Sequence, residues 1–266
     1  MKSKIATATR PIPLNWRTTA ILMLASAVAL LLLAWPLLVP TTGGQDVVPA
    51  AFALAGLLPV VVLTVLAAMA ESGMDAKSLA MLGVLAATVA ALRPLGSGLG
   101  GVEPMLFVLV LAGRVFGPGF GFALGALSLL ASAVLTGGIG PWLPAQMVVS
   151  AWVGLGAGCL PKTAGRRSEM LWLCGYAVVA AYLFGLLMNL WFWPSLAGGQ
   201  GDTALAYQPG GSLVTNLAAF IRFSLVTSTA SWDTVRAVTA VVLMLVVGPS
   251  ALTLLRRCAR RANFRP

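Results

Sequence analysis

The sequence predicts an all-α integral membrane protein with about eight transmembrane helices. Of the 266 residues, 59% are hydrophobic and only 9% are charged, and the mean hydropathy of +0.95 lies far above that of soluble domains. Apolar runs long enough to cross a bilayer alternate with short polar or Gly- and Pro-rich joints. The predicted spans are residues 17–38, 50–70, 77–92, 103–116, 118–136, 144–160, 169–193 and 233–255.

The joints between these runs define the individual elements. The first run follows basic residues, as in a signal peptide, but it is longer than a normal h-region and lacks a small-residue cleavage site, so we interpret it as a helix. Gly117-Pro118-Gly119 predicts a tight turn or a kink between two short spans. The joint "TGGIGPWLPAQM", residues 136–147, predicts a stiff turn, because its three glycines allow a tight turn and its two prolines fix backbone angles.

The basic residues predict the orientation. Eight spans place both termini on one side, and the positive-inside rule makes that side cytoplasmic. The net charge of +10 then reflects contact with anionic inner-leaflet lipid, and nucleic acid is not an expected partner. In this orientation, 14 of the 17 lysines and arginines are cytoplasmic: Lys2, Lys4, Arg10, Arg17, Lys77, Arg114, Lys162, Arg166, Arg167, Arg256, Arg257, Arg260, Arg261 and Arg265.

The absence of histidine from the sequence excludes several kinds of site. A Ser/His dyad, a His-ligated zinc or haem and an HExxH helix all require this residue. Cys159, Cys174 and Cys258 are scattered, which favours packing over a disulfide framework or a metal cluster. We therefore predict no catalytic residue, no metal and no cofactor.

The glycine run "GLGAGCLPKT", residues 154–163, has a loose likeness to a phosphate-binding loop. Pro161 stands where that motif needs glycine, and no strand precedes it, so close helix packing is the better interpretation. No soluble domain interrupts the predicted spans, because the longest polar segment is residues 194–211. If ATP energises this protein, another chain must bind it.

The acidic residues are predicted to lie near the membrane surfaces. Glu71, Asp75 and Glu169 fall at inner ends of spans, whereas Asp46, Glu103, Asp202 and Asp233 fall at or near the outer surface. A secondary transporter driven by protons or sodium normally carries carboxylates or hydroxyl-rich ion sites within the membrane. Their predicted absence there counts against that class.

Four segments on the outer side suit ligand capture: residues 93–104, 136–147, 189–195 and 227–237. Alternatives remain for several of their residues. The tryptophans also fit an interfacial belt, Ser231 or Asp233 also fits an N-terminal helix cap, and Arg222 and Arg236 fit either ion pairs or an anionic substrate. The candidate substrate-binding residues are Glu103, Trp142, Gln146, Asn189, Trp193, Trp232, Asp233 and Arg236.

A strip of small residues follows one face of the third predicted span. Its members Ala80, Gly83, Ala87 and Ala91 are spaced so that another helix can approach closely. From spacing alone, packing within the chain is the favoured interpretation.

From Ala76 to Pro266 the chain resembles the S components, the substrate-binding membrane subunits of energy-coupling factor (ECF) vitamin transporters. The resemblance lies in the small-residue strip, in the glycine-rich loop leading to "GVEP", in "AGRVFGPGFGFALGALSLLASAVLTGGIGPWLPAQM", and in "NLWFWP" and "SWD". It implies a six-helix core over residues 76–266 with a basic cytoplasmic tail. Residues 1–75, with an N-terminal tail and two additional helices, have no counterpart in that core.

The resemblance also implies a function and partners. An S component in the bacterial plasma membrane captures a vitamin at the outer face, and a T component with two ATPase subunits drives uptake. Ala80, Gly83, Ala87 and Ala91 would then form the face that docks to the T component. The tryptophans favour a cobalamin-like substrate over thiamine or riboflavin types. An ion-coupled secondary transporter of a small organic solute is the alternative, and a membrane-embedded enzyme or assembly factor is a third class, disfavoured by the absence of histidine.

Overall fold

The computed structural model describes residues 11–12, 14–38, 56–72, 74–96, 100–163, 165–196 and 204–262, and within them the chain is helical without any strand. The start of the second predicted span, the loop residues 97–99, Asp46, Asp202 and the basic residues Lys2, Lys4, Arg10 and Arg265 lie outside the described residues. The helices are α1 (Trp16–Leu33), α2 (Trp35–Leu38), α3 (Leu57–Ser72), α4 (Ala76–Gly96), α5 (Met105–Phe116), α6 (Pro118–Thr136), α7 (Leu143–Cys159), α8 (Arg166–Leu196), α9 (Leu213–Ser224), a π-helical segment (Leu225–Asp233), α10 (Thr234–Val246) and α11 (Gly248–Arg261).

The predicted all-α class is confirmed for the described residues, and five of their helical stretches are long and apolar enough to cross a membrane. Three shorter apolar helices accompany them: Pro59–Glu71, Met105–Phe116 and Leu143–Cys159. The five longer stretches are Trp16–Leu33, Ala76–Gly96, Pro118–Thr136, Arg166–Pro194 and Leu213–Val246.

Helices α5, α6 and α7 form the centre of the bundle, and glycines let their backbones touch. A Cβ placed on Gly154 of α7 would collide with the backbone of Gly121 on α6, and a Cβ on Gly113 of α5 would collide with the backbone of Gly154. The glycine run at 154–158 therefore serves close helix packing, as the sequence indicated. Gly117, with φ of 96°, makes the tight turn between α5 and α6.

The last apolar helix differs from the prediction. It was expected to begin near residue 233, but the helical stretch begins at Leu213, where the Ser212 side chain accepts a hydrogen bond of 3.2 Å from the backbone N–H of Thr215. The stretch runs on through the π-helical segment to Val246. It lies antiparallel to α8, because Trp193 packs against Phe220 and the earlier α8 residue Tyr182 lies 3.0 Å from the later residue Thr234.

Helices α1 and α3, which precede Ala76, pack on this centre. Arg17 at the start of α1 lies 3.9 Å from Glu71 at the end of α3, so the two helices are antiparallel. Trp152 of α7 donates a hydrogen bond of 2.8 Å from its indole Nε1 to the Ser26 hydroxyl of α1. The additional helices are thus attached to the glycine-packed centre through a specific polar contact as well as apolar side chains.

The bundle has two chemically different ends. At one end α5 meets α6 and α7 meets α8; we call it the basic end, because Arg114, Lys162, Arg166, Arg256 and Arg260 line one cavity there. At the opposite end α4 meets α5, α6 meets α7, and α8 is followed by α9. Most of the residues predicted to bind substrate lie toward this opposite end.

Candidate functional site

Three charged side chains meet near the opposite end of the bundle. Arg236 donates a hydrogen bond of 2.7 Å from Nε to Glu103 and one of 2.5 Å from Nη1 to Asp233. The Asp233 side chain is 1% exposed and that of Arg236 8% exposed, whereas Glu103 keeps 29% of its side chain accessible. We call these three residues the ionic cluster. Its accessible member is Glu103.

Two glycines make room for the ionic cluster. Gly101, with φ of 98°, brings the loop before α5 against the backbone of Trp232, where a Cβ would collide. Gly185 of α8 faces the Asp233 carboxylate, and a Cβ at this position would occupy the space of the carboxylate oxygens. The glycine-rich loop therefore places Glu103 beside the helical stretch that contains Asp233 and Arg236.

The surroundings of Arg236 provide two further contacts. The guanidinium carbon lies 5.0 Å from the centroid of the Phe184 ring, which is cation–π distance. Its Nη1 also donates a hydrogen bond of 3.4 Å to the backbone carbonyl of Ala181. Arg236 therefore has partners for its charge on three sides, as a buried cation in an apolar bundle requires.

The π-helical segment supplies a donor to Asp233. Ser228 donates from its hydroxyl to Asp233 Oδ2 at 2.8 Å, across five residues of the same segment. Thr234 makes a bond over the same spacing, from its hydroxyl to the Thr229 carbonyl at 2.8 Å, and its oxygen lies 3.0 Å from the Tyr182 hydroxyl on α8. The polar side chains of "TSTASWDT" thus hold the carboxylate and join the segment to α8.

A second polar group lies beside the ionic cluster. Arg93 of α4 donates from Nη2 to the Gln146 side-chain oxygen of α7 at 2.6 Å and from Nη1 to the Ser132 hydroxyl of α6 at 3.4 Å. Gly96, one turn beyond Arg93, lies against the backbone of Val102 and Glu103. The predicted site residues Glu103, Gln146 and Arg236 therefore belong to neighbouring groups.

The sequence prediction did not include Arg93 and Ser132 among the site residues. Arg93 lies in the last turn of α4, directly before the glycine-rich loop that was singled out. A basic residue at the end of an apolar helix is a signal that could have added Arg93 to the predicted site. The spacing of residues in the sequence does not reveal its contact with Ser132.

The predicted tryptophans lie in different surroundings. Trp193 is completely buried, donates a hydrogen bond of 2.8 Å from its indole Nε1 to the Leu205 carbonyl, and packs against Tyr207 and Phe220. Trp232 is 47% exposed, and Trp142 is 40% exposed with its ring beside Gly140 of its own turn. Trp193 thus belongs to a separate aromatic cluster, and the two exposed indoles fit an interfacial position.

Two other predicted residues have different outcomes. Asp233 has helical backbone angles inside the long helical stretch, and its side chain makes no cap hydrogen bond, so the N-terminal cap alternative is wrong.

Asn189 of α8 has its side-chain nitrogen buried without a hydrogen-bond partner among the described residues. A buried amide without a partner is costly, so Asn189 stays a candidate for contact with a ligand.

The small-residue strip is on the surface of the described molecule. Ala80, Gly83, Ala87 and Ala91 are all exposed along α4, and a Cβ added to Gly83 would meet no heavy atom within 4 Å. Packing within the chain, which spacing alone favoured, does not account for this face. The neighbouring side chains of Leu79 and Val84 are exposed as well.

No group of three His, Cys, Asp or Glu residues within the described ranges could hold a metal ion. Glu103 and the partly buried Arg93 can contact a polar ligand, while Arg236 holds Glu103 in place and Gln146 and Ser132 hold Arg93. Comparison of the chain with protein-family models, with curated proteins and with solved structures gives no match.

Proposed function

We propose that the chain is the substrate-binding membrane subunit, or S component, of an ECF-type importer. In this role it captures a vitamin or related micronutrient at the opposite end of the bundle, and a T component with two ATPase subunits drives uptake. The observation that carries the proposal is the ionic cluster. It ties the loop that carries Glu103 to the last apolar helix, and such buried charges in a membrane protein mark functional sites by default.

The topology that belongs to this proposal has eight crossings. The five long apolar helices and the three shorter ones would each cross the plasma membrane, and α11 would follow on the cytoplasmic side. Five basic residues from three parts of the chain meet at the basic end, which supports placing that end and both termini in the cytoplasm. The ionic cluster would then face the exterior, where an importer meets its substrate.

The exposed strip on α4 supports a helical partner. Lipid gives no hydrophobic reason for helices to associate, so close contact between flat, small-residue faces is a main source of affinity in membranes. Ala80, Gly83, Ala87 and Ala91 offer such a face, and no described residue covers Gly83. We assign this face to the T component.

The substrate class is defined by the groups that remain accessible. A cobalamin-like compound was favoured because four tryptophans would suit a large, flat, partly apolar ligand, and that support is weaker with Trp193 packed inside an aromatic cluster and Trp232 exposed. Glu103 and Arg93 instead favour a micronutrient with both hydrogen-bond donors and acceptors.

Purification in mild detergent from the native host, followed by native mass spectrometry, tests the proposal. A vitamin-sized adduct together with ATPase and T-component subunits is the expected result. A folded protein that carries neither would contradict it. Gly83→Leu/Ala87→Leu should abolish partner retention without loss of the adduct, and the matched control is Ala27→Leu on the exposed face of α1.

A second candidate function gains from one observation. The case against an ion-coupled secondary transporter relied on carboxylates at the membrane surface, but Asp233 is buried within a continuous apolar helix. For this candidate, substrate uptake in proteoliposomes of the chain alone would follow an imposed ion gradient and be lost in Asp233→Asn. For an S component, the chain alone gives no uptake under any gradient.

A further inference from the structure

The basic end contains a cavity of about 1030 Å³ that the proposed substrate capture does not use. It lies between the α5–α6 turn, the end of α7, the start of α8 and helix α11. Residues that line it include Arg114, Gly117, Lys162, Arg166, Glu169, Leu252, Arg256 and Arg260. The cavity therefore lies at the basic end, whereas the ionic cluster lies toward the other end of the bundle.

The charges around this cavity are strongly unbalanced. Five basic residues line it and Glu169 is the one acidic residue among its lining residues. Glu169 is already shared, because Arg114 Nε lies 2.8 Å and Arg256 Nη2 2.7 Å from its carboxylate. An excess of positive charge beside an apolar bundle favours an anion in the cavity.

The inner wall of the cavity is held in place by buried contacts. Arg114, whose side chain is 10% exposed, also donates from Nη1 to the carbonyls of Leu160 at 2.9 Å and Pro161 at 3.0 Å. Its hydrogen bonds to these carbonyls and to Glu169 fix the end of α7 relative to α8. In this wall Arg114 and Glu169 are thus engaged in contacts within the protein, whereas Arg166 and Arg260 lie on the rim.

Several polar groups on the rim have no protein partner. Arg166 and Arg260 are exposed and make no hydrogen bond or ion pair with any described residue. The hydroxyl oxygen of Thr163 is buried and has no hydrogen-bond partner in the described part of the chain. A buried hydroxyl without a partner, beside free guanidinium groups, is the independent sign that a hydrogen-bonding ligand belongs here.

The lining also has an apolar side. Leu14, Pro249 and Leu252 face the same space, and α11 buries Leu252 and Ala259 while its arginines remain outside. This arrangement of an apolar face below a row of arginines is typical of a helix at the level of lipid headgroups. A ligand with an anionic group and an apolar portion matches both sides.

We propose that this cavity binds the phosphate group of an anionic ligand, which we take to be the headgroup of a phospholipid such as phosphatidylglycerol. Arg166 and Arg260 would contact the phosphate oxygens and Thr163 would donate its hydroxyl proton to one of them. The acyl chains would leave past Leu14 and Leu252. This inference is independent of the proposed transport function, because it uses none of the residues of the ionic cluster.

The test is a titration of the delipidated full-length chain with phosphatidylglycerol, followed by native mass spectrometry. The cavity pair Arg166→Gln/Arg260→Gln is compared with the control pair Arg167→Gln/Arg261→Gln, which removes the same charge from adjacent residues that do not line the cavity. The cavity pair should weaken binding by about 10-fold or more, and the control pair by less than about 2-fold. Equal weakening by both pairs, or by neither, would overturn the proposal.

A neutral variant separates the site from general surface electrostatics. Thr163→Val removes the buried hydroxyl and keeps every charge, so it should weaken phosphatidylglycerol binding measurably while total lipid adsorption at low salt stays the same. Unchanged binding in Thr163→Val would remove the hydroxyl from the proposed site. If a double variant fails to fold, the single exposed substitutions Arg260→Gln and Arg261→Gln give the same comparison.

Competition with inorganic phosphate distinguishes the two sources of a phosphate group. Displacement of phosphatidylglycerol by millimolar phosphate, lost in the cavity pair, would support the site and show that a soluble phosphate suffices. Binding of phosphatidylglycerol that phosphate does not displace would support the site and show that the lipid portion is needed.

Discussion

The replacement of Arg236 by methionine should be among the most destabilising single changes in the ionic cluster. Methionine keeps the length and the apolar stem that lies beside Phe184, but it removes the guanidinium that Glu103 and Asp233 share. The change leaves Asp233, whose side chain is 1% exposed, without its cation in an apolar bundle. The consequence is the desolvation cost of that carboxylate rather than the loss of one hydrogen bond.

The magnitudes follow from the different exposure of the partners. Removal of one member of a buried ion pair costs about 3–5 kcal/mol, which we expect for Arg236→Met. Asp233→Asn should cost less, about 1–3 kcal/mol, because the amide oxygen still accepts from Ser228 and Arg236 still pairs with Glu103. Glu103→Gln should cost below about 1 kcal/mol, since solvent screens this partly exposed carboxylate.

The assay is reversible unfolding of the purified chain in mixed micelles of a mild detergent and dodecyl sulfate, which gives the free energy of unfolding for each variant. The double variant Arg236→Met/Asp233→Asn should cost clearly less than the sum of its single changes, because neither partner then remains as an unpaired buried charge. Additive costs, or a Glu103→Gln cost equal to that of Arg236→Met, would refute the reasoning.

Two further predictions concern close packing and use the same unfolding assay. Gly185→Ala should cost about 1–3 kcal/mol, because the new Cβ would displace the Asp233 carboxylate, and a neutral effect would contradict the packing. Gly154→Ala should cost a similar amount through its collision with the backbone of Gly121, whereas the control Gly175→Ala, which meets no heavy atom within 4 Å, should stabilise α8 by about 0.5–1 kcal/mol. If the last two variants behaved alike, the backbone contact between α6 and α7 would not be what limits Gly154.

The elements between Ala76 and Leu196 could be predicted because glycine and proline mark their ends. The α5–α6 turn forms at Gly117, where φ is 96°, and α6 ends at Gly137 in the left-handed region. Both conformations favour glycine over residues with a Cβ, so the local sequence is enough to predict these turns. Apolar runs between such turns leave little choice of structure in a bilayer.

The last helix was mispredicted for a physical reason as well. Residues 213–232 include Asn216, Arg222 and a series of threonines and serines, which in an apolar sequence resemble an external loop. Asn216 is instead paired with the backbone of Gln208, accepting from its N–H at 2.9 Å and donating to its carbonyl at 3.0 Å. Contacts of this kind depend on how the preceding loop folds, and periodicity does not encode them.

The tryptophans illustrate the same limit in the candidate site. The sequence places Trp193 near the end of a predicted span, but its partner, the Leu205 carbonyl, belongs to the segment that precedes α9. A shared depth in the membrane does not mean a shared cavity, because a helix directs side chains to every side. The residues that the prediction did bring together, Glu103, Asp233 and Arg236, have opposite charges that seek each other once they are buried.

The π-helical segment explains how the last helix holds a buried carboxylate largely with its own groups. In an α-helix, residues five apart lie about 140° from each other around the axis, so Ser228 could not reach the carboxylate of Asp233. The wider turn of a π-helix brings residues five apart onto one face, and the 2.8 Å bond between them forms. Arg236, three residues beyond Asp233, then reaches the same carboxylate from the following α-helical turn. A regular α-helix here would keep the ion pair but lose the Ser228 hydroxyl, which would leave one carboxylate oxygen of Asp233 without a donor in an apolar bundle.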